Sequence, residues 1–326
     1  MTSPAPFMDL SIVIVNWNSR EFLRKCLASL VASMRTIRYE IVVIDSGSFD
    51  GCDAMLREHY PQVRFVQSAE NLGFAKANNR AFEASSGECV LFLNPDTEVV
   101  GSAIETMHAS LGSLPDAGTV GCRLMNSDGT LQFSCVQSFP TITNQVLDSE
   151  FFRKIWPKSP LWGMAALFED GADACEVEGI SGACLMVRRS TFEQVGRFSE
   201  EYFMYVEDLD LSCKVRRAGY RNYYVPDATV VHHGGQSSQQ AASAFAATMT
   251  REAIRRFLRK TRGTAYSAGY RFMMLVSAVG RLCVLGAAWI AGGGSPSRAA
   301  SYRKWWAILC WSVNRDGIVA RYYHND

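Results

Sequence analysis

The sequence predicts an α/β protein, a mostly parallel sheet flanked by helices, followed by a helical tail. Three observations predict it. Short β-branched runs such as "LSIVIVN" and "EIVVID" are apolar at nearly every position, the pattern of strands buried on both faces. Segments with apolar residues three and four apart follow them. The strand–helix units recur at roughly 20–30 residues, the spacing of crossover connections in a parallel sheet.

The elements follow in order. "LSIVIVNWN" is the first strand, and "SREFLRKCLASLVAS" the first helix, with Phe22, Leu23, Cys26, Leu27 and Leu30 on one face and Ser19 as N-cap. "YEIVVIDSGSFDG" is a second strand that ends in an acidic, glycine-containing loop. "GCDAMLREHY" reads as a helix and "VRFVQS" as a third strand. "GFAKANNRAFEASSG" reads as a helix closed by Gly87. "ECVLFLNPDTEVV" is a fourth strand running into a polar turn. Residues 123 to 175 are less regular, and "SPLWGMAALFEDGADA" reads as an insertion or substrate loop. "CEVEGISGACLMVRRSTFEQVG" returns to strand and helix. "YRNYYVPDATVVHHGGQSS" reads as strand, turn, strand and a His-Gly loop. An Ala-rich helix starts after Gln239, the tail to 326 is mostly helical, and "AGGGSPSRA" is the clearest linker.

Bulk properties narrow the function. With 326 residues the chain makes one large domain or two small ones. A net charge of +1 gives no global electrostatic case for nucleic acid. Ten scattered cysteines without a C-x-x-C pair read as reduced thiols in a cytoplasmic setting. The N-terminus lacks a basic region followed by a long apolar one, so no signal peptide is expected. "FMMLVSAVGRLCVLGAAWIAGGG" is interrupted by Arg281, and fits an interfacial helix or a pair of core helices better than a membrane span.

Polar residues gather where strands end, and ligands of open α/β sheets bind outside the carboxyl ends of strands. Asp96 in "LFLNPDTEVV" is a candidate ligand for a divalent cation held against a diphosphate; the plain alternative is an Asn-Pro-Asp turn. Asp45 is placed to accept a hydrogen bond from a base or ribose, or to form an Asx-turn. Asn71, Gly73, Lys76 and Asn78 surround a helix start that offers N–H groups to a phosphate, or they cap that helix. In "EYFMYVEDLDLSCKVRRAGY", Glu207 and Asp210 share a helix face while Asp208 points elsewhere. Acidic residues suit a helix N-terminus, but three behind an aromatic run also place a carboxylate where its pKa rises into the range of a general base. His232 and His233, followed by glycines, could ligate a metal or sit on a surface turn.

Taken together, "SIVIVNWNS", "VVIDSGSFDG", "NLGFAKANN", "LFLNPDTEV", "GISGACLMVRR", "YFMYVEDLDLSCKVRRAGY" and "HHGGQSS" resemble the inverting glycosyltransferases of family 2, with the GT-A fold, and among them the rhamnosyltransferase-like bacterial members. The resemblance spans residues 10 to about 238. It implies a catalytic domain over 1–240 and a helical region over 241–326. It implies that Asn16, Trp17, Asn18 and Asp45 hold the base and ribose of a nucleotide-diphosphate sugar. Asn94 stands where the family has the first Asp of its Asp-x-Asp motif, and Asp96 would bind Mg²⁺ or Mn²⁺, with His232 or His233 near the metal or diphosphate. Asp208 would be the catalytic base, with Glu207 the fallback, and Gly182 and Ala183 would line the donor-sugar and acceptor site. The acceptor would be a glycan or lipid-linked sugar in cell-surface polysaccharide synthesis. Eight Lys or Arg between Arg251 and Arg281, and "YRKWWAILCW", suit the cytoplasmic face of an inner membrane. A helical pair covering the sheet or forming a homodimer is the other reading of the tail. The competing functions are a nucleotidyltransferase, for which "VNWNSREF" is a poor phosphate loop, and a non-catalytic sugar-nucleotide-binding scaffold.

Overall fold

The computed structural model describes residues 8–147, 156, 159, 173–234, 243–292 and 295–323. The first half is built as the apolar runs require. Strand β1 (Leu10–Asn16) leads to helix α1 (Arg20–Ser33), β2 (Tyr39–Ser46) to α2 (Cys52–His59), and β3 (Arg64–Ser68) to α3 (Gly73–Glu83). β4 (Cys89–Leu93) follows, then a short β5 (Thr97–Val99), α4 (Ala103–Ser113) and β6 (Ala117–Met125). Next come β7 (Val136–Gln137), α5 (Ile142–Leu147), β8 (Cys175–Val177), β9 (Gly179–Ile180), β10 (Cys184–Arg188) and α6 (Arg189–Gln194). Then α7 (Glu207–Arg217) precedes β11 (Arg221–His232), and the tail forms α8 (Ser243–Arg262), α9 (Thr264–Gly292), α10 (Pro296–Ser312) and α11 (Val319–Tyr322).

The main sheet runs β3-β2-β1-β4-β10-β6-β11-β5, with β8 on β11. β1 to β4 are mutually parallel wherever they pair. The strand order reverses between β1 and β4, so a crevice opens at their carboxyl ends, where Asn16 and Asn94 lie. Beyond β4 the sheet becomes mixed. β10 is antiparallel to β4 and β6, and β5 is antiparallel to β11. The core is Leu10, Ile12 and Ile14 of β1, Val42–Ile44 of β2 and Val90–Phe92 of β4, all fully or nearly fully buried. Beside them Phe82, Phe92, Phe192 and Phe198 meet edge-on or tilted, with ring centroids 4.7–5.3 Å apart.

Ser19 is the N-cap of α1, as expected, with its carbonyl taking the Leu23 N–H at 2.8 Å; its hydroxyl donates to the Trp17 carbonyl, and Asp50 takes the Arg20 N–H at 2.9 Å. Two local expectations are corrected. Gly87 does not close α3, which ends at Glu83 with Ala84 at its C-cap. Gly87 is there for space: a Cβ would lie 2.5 Å from the Ser11 backbone nitrogen. The stretch around Pro226 is no turn between strands. β11 is one strand that shifts register on β6 between Val225 and Thr229, an irregularity that accommodates a proline without a donor. The loop from 159 to 174 and the glycines at 235 lie outside the described residues, apart from Ser159, Asp173 and Ala174.

Contacts divide the chain into two units: Met1–Phe139, Met164–Tyr202 and Glu207–Gln236 in one, Pro140–Gly163, Phe203–Val206 and Ser237–Asp326 in the other. Within the second, buried Glu252 binds Arg255 (2.6 Å), Arg256 (3.0 Å) and the Trp311 indole N–H (3.1 Å), tying α8 to α10. The segment around Arg281 is one continuous helix, not a pair, and α9 is the single candidate among the described residues long and apolar enough to cross a membrane. Arg281 lies over the Trp305 ring and donates to the Val146 carbonyl. Phe272, Val284 and Ile290 of α9 are 63, 70 and 89% exposed.

Substituting Gly87→Ala drives a methyl into β1 backbone, which cannot move without shifting the sheet. We expect a loss of about 1–3 kcal/mol in urea-denaturation stability; an unchanged midpoint would show that β1 gives way freely.

Candidate active site

The parallel register places Asn16 beside Asp45. The Asn16 amide lies 2.9 Å from Asp45 Oδ1 and 3.2 Å from each Asp50 oxygen. Asp45, fully buried, also accepts the N–H groups of Ser48 and Phe49 at 3.0 Å, the Gln67 amide at 2.7 Å and the Ser48 hydroxyl. Burial alone would raise its pKa, but the donors of Ser48, Gln67, Phe49 and Asn16 outweigh it and hold the carboxyl below its ordinary value. The loop needs Gly47, at φ +73°, where a Cβ would come within 2.5 Å of the Glu70 carbonyl carbon. Trp17 is 36% exposed beside this cluster, and Asn18 is exposed at φ +51°.

Asp45, Asp50 and Cys52 bring ligand atoms within 4.8 Å of one another. Their chemistry favours a polar recognition surface over a cation site. The carboxylates already take several protein donors, and burial pushes the Cys52 thiol far above its usual value.

At the start of α3, Asn71 Oδ1 accepts the Gly73 N–H at 2.9 Å, and the Asn78 amide donates to the Phe74 carbonyl at 2.9 Å. Asn71 caps α3, and Asn78 is tied back into it. Lys76 is exposed on the same helix.

Past β4, Asp96 is buried, and its Oδ1 lies 3.3 Å from His232 Nε2. The Asn94 amide is 3.3 Å from the same nitrogen. His233 turns elsewhere, to Glu98 Oε1 (2.8 Å) and Ser127 Oγ (2.7 Å). Of the two histidines, His232 is the one brought to Asp96.

The Asn94 N–H reaches the Ala183 carbonyl at 2.9 Å, and the adjacent Gly182 N–H reaches Asp208 Oδ2 at 2.8 Å. One dipeptide therefore links the Asn94–Asp96 turn to the carboxylate of α7. A Cβ on Gly182 would sit 3.3 Å from Asp208 Cβ and 3.5 Å from the Phe74 ring. Asp208 also accepts its neighbour Leu209 N–H at 2.8 Å and meets the Gln137 amide at 3.5 Å. Burial raises its pKa, and the Gly182 and Leu209 N–H groups restrain the rise. Glu207 is 6% exposed, and its Oε2 has no hydrogen-bond partner among the described residues. Burial, then the Asp208 charge, pushes its carboxyl well above the ordinary value. Asp210 is structural, accepting the Ser199 hydroxyl at 2.5 Å and facing Lys214 at 3.7 Å. Before α7, Tyr205 and Val206 both have φ +69°, rare for a β-branched residue.

Sequence reasoning passed over Asp50, Gln67 and Gln137. Asp50 carried a signal, an acid five residues after Asp45 in a glycine loop; the glutamines carried none.

The crevice at the reversal of the sheet thus carries a buried Asp96 beside a half-buried His232 at one end of the Gly182–Ala183 dipeptide and a carboxyl raised by burial at the other. Residues 11–196 match the sequence model of glycosyl transferase family 2, and residues 163–319 that of glycosyl transferase family group 2. The chain belongs to glycosyl transferase family 2 and is a glycosyltransferase. It is similar to the N-acetylglucosaminyl-diphospho-decaprenol L-rhamnosyltransferase of Mycobacterium tuberculosis, 33% identical over 244 residues that cover 70% of this chain and 77% of the relative. Rhamnosyltransferase WbbL of Escherichia coli is 26% identical over 233 residues, 68% of this chain and 82% of the relative. The fold is that of GT-A glycosyltransferases. A mannosyltransferase of Pyrobaculum calidifontis, solved with GDP-Man and Mn²⁺, aligns with TM-score 0.57 at 17% identity, covering 99% of this chain and 89% of that one. GalNAc-T7, solved with UDP, GalNAc and Mn²⁺, aligns with TM-score 0.59 at 14% identity, covering 91% and 55%.

Glu207 has a stability consequence with a definite sign. Its folded pKa is raised, so the folded state holds a proton that the unfolded chain releases above pH 4.5. Stability falls as pH rises above that value, until the folded carboxyl ionises as well. Glu207→Gln removes the penalty and should raise the melting temperature at neutral pH but not at pH 4 or below; equal shifts at both pH values would contradict this account.

Proposed function

We propose that the protein is an inverting glycosyltransferase that moves a sugar, rhamnose by likeness to its relatives, from a nucleotide-diphosphate donor to a polyprenyl-diphosphate-linked acceptor in cell-surface glycan synthesis. The observation that carries the reading is the Gly182–Ala183 backbone joining Asp208 to the Asn94–Asp96 turn. Asn16, Trp17, Asn18 and Asp45 take the base and ribose. Asn71, Gly73, Lys76 and Asn78 border the donor. Gly182 and Ala183 line the sugar and acceptor. Asp208 takes the proton of the acceptor hydroxyl as it attacks the anomeric carbon opposite the leaving diphosphate, so configuration inverts in one displacement. Glu207 beside it positions the acceptor.

A divalent cation fits Asp96 and His232. A carboxylate oxygen and an imidazole nitrogen lie 3.3 Å apart on side chains 7 and 13% exposed, donor atoms of the kind a divalent cation takes. Mg²⁺ or Mn²⁺ held there supplies charge stabilisation for the leaving diphosphate. A thermal-shift screen with dTDP-, UDP- and GDP-sugars, with and without Mn²⁺, tests this. Stabilisation by one nucleotide that strengthens with metal supports it, and no response to any donor counts against it. Asp208→Asn should lower turnover by about 10²–10⁴-fold, leave donor binding intact and remove the acid limb of the pH–rate profile. That limb lies above the ordinary aspartate range, because burial raises Asp208. Retained turnover would end the assignment.

We assign catalysis to residues 1–240 and membrane contact to 241–326, at the cytoplasmic face of the inner membrane. Residues 253–315 contain eleven Lys or Arg and no Asp or Glu. The exposed apolar residues of α9, with Trp289, Tyr302 and Trp306, complete an interfacial surface. The protein should float with vesicles containing anionic phosphatidylglycerol, and Phe272→Ser with Ile290→Ser should weaken this. Flotation unaffected by the pair would move α9 away from the lipid.

A further inference from the structure

Gln132 plays no part in the reading above, yet it touches His232. His232 Nδ1 lies 2.7 Å from Gln132 Oε1. Gln132 Nε2 lies 3.1 Å from Asn126 Oδ1. The Asn126 amide nitrogen lies 3.4 Å from the Leu131 carbonyl and 2.9 Å from Thr130 Oγ1. The direction of this chain is fixed at its far end, because a backbone carbonyl accepts and never donates. Asn126 must give its N–H₂ to Leu131, leaving Oδ1 for Gln132. Gln132 must then donate through Nε2 and accept through Oε1. The proton on that last bond has to be carried by His232 Nδ1. A neutral imidazole protonated at Nδ1 keeps its lone pair on Nε2, which faces Asp96 and to which the Asn94 amide, 3.3 Å away, can donate.

We propose that Gln132 is a positioning residue that sets the tautomer of His232, so that Nε2 is presented as a cation ligand beside Asp96. The inference rests on reading Asp96 and His232 as the cation pair. The relay is built into the end of β6. Val231 pairs with Met125, which puts Asn126 beside His232 in register. The turn that follows is closed by Asn126 N–H to Thr130 (2.7 Å) and Gly129 N–H to Asn126 (2.9 Å). His233 shows the opposite arrangement. Its Nδ1 faces the Ser127 hydroxyl, which can donate to it, and its Nε2 faces the Glu98 carboxylate, so a single proton belongs on Nε2. Two adjacent histidines are thus held with their protons on different atoms by different partners.

The test uses the full chain. In metal-free protein labelled with ¹⁵N-histidine, above the imidazole titration range, His232 should show the Nδ1–H tautomer, and Gln132→Leu should give a mixture. Mn²⁺ alone, followed by calorimetry and by the paramagnetic resonance of the free ion, should bind the leucine variant about 10–100-fold more weakly, as for other loosened ligand supports. Gln132→Glu keeps the acceptor and should keep the affinity. Asn126→Leu, which frees the Gln132 amide to turn, should fall between and serves if the leucine variant does not fold. An Nε2–H tautomer in the parent protein, or unaltered Mn²⁺ affinity in Gln132→Leu, would overturn the proposal. Asp96→Ala and His232→Ala separate the two ideas: Mn²⁺ affinity indifferent to both removes the cation pair itself, while sensitivity to both with indifference to Gln132→Leu removes only the relay.

Discussion

The Gly182–Ala183 peptide is the constraint on which the site depends. Its N–H holds Asp208 and its carbonyl holds the Asn94 N–H. Those two groups come from α7 and from the end of β4, more than a hundred residues apart in sequence. A mobile side-chain bridge would let the distance between them vary. A backbone segment leading into β10, which is paired on both sides, does not. The spacing between the Asp208 carboxylate and the Asn94–Asp96 turn is therefore inherited from the sheet, and a Cβ on Gly182 would crowd Asp208 at 3.3 Å and the Phe74 ring at 3.5 Å.

The same edge of the sheet treats its carboxylates in opposite ways, and hydrogen-bond donors decide which. Asp45 and Glu207 are both buried. Asp45 is surrounded by N–H and O–H groups and stays ionised. Glu207 has a bare oxygen and a like charge next to it, and its carboxyl is pushed well above the ordinary value. Asp208 lies between these extremes, with burial working against two backbone donors. Under the proposed role, that raised carboxyl is the proton acceptor.

The sequence showed the parallel half of the fold plainly, because strands buried on both faces are written in unbroken β-branched runs. It showed less of the mixed half. "ACLMVRR" reads as a strand but says nothing of its direction, and Pro226 reads as a break where the strand only bulges. The candidate site residues at strand ends (Asn16, Asp45, Asp96, His232) stood out because a polar residue there has few other reasons to follow an apolar run. Gln67, Gln132 and Gln137 were not, since a glutamine in a loop is ordinary until its partner is known. Gly87 misled because it has the residue type of a helix cap, while its place is decided by the backbone of a neighbouring strand.

The helical segment between Glu252 and Asp316 carries its charge on arginine and lysine alone. Neither side chain titrates near neutrality. Its electrostatic attraction to an anionic surface is therefore almost independent of pH and is set by ionic strength, with a screening length of about 8 Å at physiological salt. The Asp208 carboxyl, raised by burial, responds to protons, whereas the electrostatic pull of this segment on any anionic surface responds to salt. The two parts of the chain are thus tuned by different properties of the same solution.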